Sequence, residues 1–127
     1  MDATAADLAT LQGHWEQVYL EADGVANPPD AHSAPGGQLI IRGHNFSVHG
    51  ANGEVLLHGA FELDATTNPK SITWIDAIGE DTGKRLPASY ELTPDRFIFI
   101  AADEGAPRPL IFRTAPGQTL RAFRRPA

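Results

Sequence analysis

The chain has 127 residues and no cysteine, with ten basic against sixteen acidic residues and a formal charge of −6. Its length fits one domain, residues 1–127, and the missing thiols exclude disulfides, thiolate zinc sites and cysteine nucleophiles. An acidic surface repels nucleic acid and anionic lipid, and the short cluster Arg121, Arg124 and Arg125 does not reverse that.

The first thirteen residues have neither a cationic start nor a long apolar stretch, so no signal peptide is expected. No apolar run approaches the ~20 residues of a membrane span, and a cytoplasmic domain is the expectation. Thr4 followed by Asp7 resembles a capping box, Leu8 and Leu11 are three apart, and Gly13 can stop a helix. One short helix is predicted over 4–11. Beyond it, ten prolines and twelve glycines separate short alternating apolar runs, the pattern of an antiparallel all-β domain. Strands are predicted at 14–22, 38–42, 45–49, 54–63, 71–78, 84–92, 96–101 and 118–124, with 110–113 as an extra candidate. Residues 26–37 and 102–109 read as loops.

Three turns set the pairing. Around 50–53, Phe46 and Val48 share a face with Val55, Leu57 and Phe61, while Asn45, Ser47 and His49 share the other with Glu54, His58 and Glu62. Around 79–83, Ile72, Trp74, Asp76 and Ile78 fall beside Leu86, Ala88 and Tyr90. Around 93–96, with Pro94 at the first corner, Leu92 and Tyr90 meet Phe97 and Phe99. Consecutive hairpins with one shared apolar face describe a meander, and about eight such strands close into an up-and-down barrel.

Several short motifs follow one another in a recognisable order: Leu11-x-Gly13-x-Trp15, Asp23-Gly24, Gly59-Ala60-Phe61-Glu62-Leu63-Asp64, Pro69-Lys70, Tyr90-Glu91-Leu92 and Arg108-Pro109. Over nearly its whole length the chain thereby resembles the lipocalin-like β-barrels, and more closely a group of small bacterial lipocalin-like domains of largely unknown function. The resemblance implies that Gly13 turns the chain tightly out of the helix and that Trp15 plugs the closed end. It also implies that an arginine of the last strand stacks on the Trp15 ring, a cation–π contact. Arg124, which shares a face with Leu120 and Ala122, is preferred to Arg121 for that role. Two places depart from the group. Thr73-Trp74 stands where an acidic residue is common, and Phe97-Ile98-Phe99-Ile100 lacks a frequent cysteine. Both make the interior more apolar.

Candidate chemistry is sparse. His49 and His58 share a polar face, with His44 beside them, but Glu54 and Glu62 are interspersed there and solvent is the expected neighbour. No metal, no cofactor and no catalytic residue is assigned; His14, His32, Ser47 and Ser89 lack a supporting motif. Asp76 is different. Period-two alternation carries it inward with Trp74 and Ile78, where a buried acid needs a partner or a proton, unless a bulge turns it to solvent. If it faces inward, Asp76 and Tyr90 are the polar anchors of a cavity walled by Phe61, Trp74, Phe97 and Phe99. The expected function is non-catalytic binding of a small apolar or amphipathic ligand. Two alternatives stay open: a protein-interaction module such as an inhibitor or immunity protein, and an enzyme using the cavity for isomerisation or cyclisation. A hollow barrel favours the first and last of these; a filled one favours the interaction module.

Overall fold

The computed structural model describes residues 2–26 and 37–126. A helix, α1 (Ala3–Leu11), precedes nine strands: β1 (Gly13–Ala22), β2 (Val25–Ala26), β3 (Gln38–Arg42), β4 (Asn45–His49), β5 (Val55–Asp64), β6 (Lys70–Asp76), β7 (Arg85–Leu92), β8 (Arg96–Ala102) and β9 (Gln118–Arg124). Neighbours in sequence pair antiparallel from β3 to β9. β1 pairs with both β3 and β9, which closes an eight-strand barrel, and β2 is a short flap on the end of β1. The flap turns at Asp23 and Gly24, both at positive φ (52° and 81°), the combination a tight type I′ hairpin requires. The 110–113 candidate is not a strand, and most of the loop expected at 26–37 lies outside the described residues.

The register follows the alternation with two interruptions. Ile72 faces Ala88 and Trp74 faces Leu86 across β6–β7, while Tyr90 faces Phe99 and Leu92 faces Phe97 across β7–β8. Between β4 and β5, Val48 meets Leu57, but an irregularity then sets His49 opposite Val55. Val55 is thereby exposed and leaves the inner face on which it was expected. A second irregularity in β1, between Gln17 and Tyr19, leaves Val18 exposed.

One end of the barrel is sealed from the helix side. Asp2, rather than Thr4, caps α1 by accepting from the Ala5 N–H at 2.7 Å. Thr4 and Asp7 instead tie the helix to the barrel. The Thr4 hydroxyl accepts from the Ala65 N–H at 3.0 Å, and Asp7 accepts from Tyr90 at 2.8 Å and from Lys70 at 2.9 Å. Leu11 and Trp15 are fully buried beneath the helix, and the Trp15 indole donates to the Leu11 carbonyl at 2.8 Å.

The arginine on Trp15 is Arg125, not Arg124. Its guanidinium carbon lies 3.7 Å from the ring centroid, and its nitrogens donate to the carbonyls of Thr10, Gln12 and His14. It therefore satisfies orphan carbonyls around the end of α1 while covering the indole face. Gly13 stands at φ 103°, a conformation that L side chains rarely adopt, and a Cβ there would crowd Arg125 Nη1 at 3.3 Å. Arg124 points outward and pairs with Glu16 at 2.9 Å. The expectation failed because Leu120 is buried on the outer face, so its parity does not mark the interior. Arg125→Met should cost about 1–2 kcal/mol in denaturant unfolding, through lost charged hydrogen bonds, and Arg124→Met less than about 1 kcal/mol. Equal losses would reject this assignment.

What buries Leu120 is the segment 103–117, a strap between β8 and β9. Ser89, Ile100 and Leu120 are cross-strand neighbours on the outer face, and all three are buried. Ser89 donates to the Pro109 carbonyl at 2.6 Å. Arg108 reaches the carbonyls of Ile72 and Ala88 at 2.9 and 2.6 Å and Thr73 Oγ1 at 3.0 Å, so Arg108-Pro109 fastens the strap to the sheet. Thr114 completes the anchorage by donating to Glu21, whose carboxyl is held below its ordinary pKa by those bonds.

Candidate functional site

Above the sealed end, the interior divides into a packed lower part and an open upper part. Trp15, Phe97 and Tyr90 interlock below, where the Phe97 ring centroid lies 5.9 Å from that of Trp15 and 6.3 Å from that of Tyr90. It also lies 5.8 Å from that of Phe123, which borders the open part. Trp74 sits at the boundary, edge-on to Phe46 at 5.0 Å and tilted on Phe99 at 4.9 Å. Gly59 permits the Phe46 contact, because a Cβ there would strike the Ile75 carbonyl and the Phe46 ring.

Beyond Trp74 lies a cavity of about 210 Å³. It belongs to the end opposite α1, where β8 runs into the strap, β6 turns into β7 and β9 begins. Its apolar wall comes from Phe46, Trp74, Phe99 and Phe123 with aliphatic side chains such as Leu57 and Leu86. Its polar groups are Gln17, Gln38, Asp76, Asp81, Asp103, Thr119 and Arg121.

Of the residues expected to form a cavity, Trp74, Asp76 and Phe99 line it together. Phe61, Tyr90 and Phe97 do not. They lie on the inner face, as alternation predicts, but their height along the barrel places them in the packed lower part. Tyr90 is drawn to the helix by Asp7, and burial together with that hydrogen bond pushes its pKa above the ordinary phenol value. It is a structural tie and not an anchor in the cavity. Gln17, which shares the face of Trp15 on the first strand, lines the cavity, whereas Arg121 and Phe123 are lining residues that the sequence did not single out. Arg121 and Phe123 share the inner face of β9, and Arg121 donates to Gln17 Oε1 at 3.0 Å. The signal was present as the alternation Thr119, Arg121, Phe123, but it was masked by the buried outer Leu120.

Asp76 is 7% exposed, and no described residue donates to its carboxylate. Burial, and secondarily the negative charge of Asp81, push its pKa up to about 6. Asp81 itself pairs with Lys84 at 3.4 Å. A second orphan adjoins: the Trp74 indole N–H is shielded from solvent and has no acceptor among the described residues. The histidines stand elsewhere. His49 bonds Ser47 at 2.8 Å on the polar face of β4, and His44 rests on the Phe61 ring. No group of three potential ligands for a metal ion occurs among the described residues, and no described helix is long and apolar enough to cross a membrane.

Comparison with known proteins finds no family model, no curated protein and no solved structure that matches this chain.

Proposed function

We propose that this protein is a non-catalytic carrier that holds one small, largely apolar ligand in the upper barrel. The closed barrel with a helix across one end is consistent with a lipocalin-like fold, and a carrier role in its interior is the reading we adopt for it. The observation that carries it is the 210 Å³ cavity, walled by four aromatic rings and furnished with a few polar groups at one end. An apolar protein cavity of about 150 Å³ is enough to take up benzene, so this one suits a ligand of roughly one ring and a short side chain. A barrel filled to native density would instead have favoured a purely surface-acting interaction module.

Calorimetric titration with propylbenzene tests the proposal. Uptake at one site is expected, and Ala101→Trp, which fills the cavity from β8, should abolish it while circular dichroism keeps the native signature. Wild-type protein that takes up no propylbenzene would overturn the carrier reading.

A further inference from the structure

We propose that the cavity selects small aromatic amines, with the protonated nitrogen held by the Asp76 carboxylate and the ring laid against Trp74, Phe99 and Phe123. The inference rests on the carrier reading and specifies its ligand. A carboxylate removed from water is stable only with a proton, hydrogen-bond donors or a counter-charge. Asp76 is 7% exposed in the cavity wall and receives no donor from any described residue. The neighbouring chain does not compensate it. Gly59, its partner on β5, has no side chain, and Asp81 across the turn adds like charge.

Nor is the balance of the cavity cationic. Asp76, Asp81 and Asp103 face a single guanidinium, Arg121, among the described lining residues, and that group is engaged with Gln17 on β1. Lys84 draws Asp81 toward solvent and stands outside the lining. The missing element is therefore a cation small enough to enter with an apolar body. An ammonium group supplies both charge and N–H donors, and its hydrogen bond to a carboxylate is of the strong, charge-assisted kind. The aromatic faces around it favour the same charge through their quadrupoles. Aromatic carboxylic acids, by contrast, would bring a second anion beside Asp76.

Four probes of nearly equal size separate the possibilities when titrated into the full chain at pH 7.5: 2-phenylethylamine, propylbenzene, acetophenone and phenylacetate. The amine should bind at least about tenfold more tightly than each of the others. In Asp76→Asn the amine and propylbenzene should come within about threefold of each other. If propylbenzene or acetophenone matches the amine in wild-type protein, or phenylacetate exceeds it, amine selection is overturned while the carrier reading stands. If none of the four binds, both fall. A preference for the amine that survives in Asp76→Asn overturns the role of this carboxylate.

Discussion

Trp15→Ala should lower the unfolding free energy by about 3–5 kcal/mol, the range for truncating a large buried aromatic. Three losses combine at one place. The ring is fully buried between α1 and the lower core, and its removal leaves a void against Phe97. The Leu11 carbonyl loses the indole N–H that satisfies it at the end of the helix. Arg125 loses the π face over which it is held, so its three carbonyl contacts are loosened together. In a domain of this size the loss corresponds to a fall in melting temperature of about 10–20 °C. Trp15→Phe, which refills most of the space without the N–H, should recover more than half of the loss. A variant with alanine at Trp15 that melts within a degree of the parent would remove the plug from this account of the closed end.

Much of the barrel was legible because it is a meander. Each turn at 50–53, 79–83 and 93–96 joins two strands whose alternation must agree, and the agreement sets register without long-range information. That is why the parity of Asp76 could be read from Trp74 alone. Three things were not legible in the same way. Alternation gives a residue's face but not its height in the barrel, which depends on strand tilt and stagger; hence Phe61, Tyr90 and Phe97 were expected in a cavity and pack below it. The strap has no period, because it is held by the backbone of Pro109 and by Arg108 while Leu110 and Ile111 are exposed. Its covering of Leu120 gives β9 two apolar faces, and alternation alone does not say which is inner, so neither Arg125 nor Arg121 is legible in its place. At the helix, Thr4 and Asp7 have capping-box chemistry at the right spacing, yet both side chains are drawn to the barrel, where tertiary partners compete for the same oxygens.

Asp76→Asn should stabilise the protein at pH 7.5 by up to about 3 kcal/mol and should do nothing of the kind at pH 4. The sign follows from the direction of the pKa shift. An ordinary aspartate titrates near 3.8, and burial raises Asp76 to about 6, so the folded state holds this proton more tightly than the unfolded one. Well below pH 3.8 the acid is neutral in both states and no penalty exists, and at pH 4 the penalty is still small. As pH rises from 4 to 6 the unfolded chain is already ionised, and the native state must surrender its proton inside an apolar wall, so stability declines. Above pH 6.5 the penalty is complete and constant. Asparagine has nearly the same shape and never ionises, and it escapes this decline. Other carboxylates act in the opposite sense: Glu21 and Asp64, both held below their ordinary values by hydrogen bonds, lose stabilising contacts as pH falls. The measurement is therefore the difference between variant and parent in urea unfolding at pH 4, 5, 6 and 7.5, in which those background contributions cancel. A difference that opens between pH 4 and 6.5 and then stays level is expected. One that is flat across the whole range would mean that the Asp76 carboxylate is ionised in the folded protein without strain, and that something already neutralises it inside the barrel.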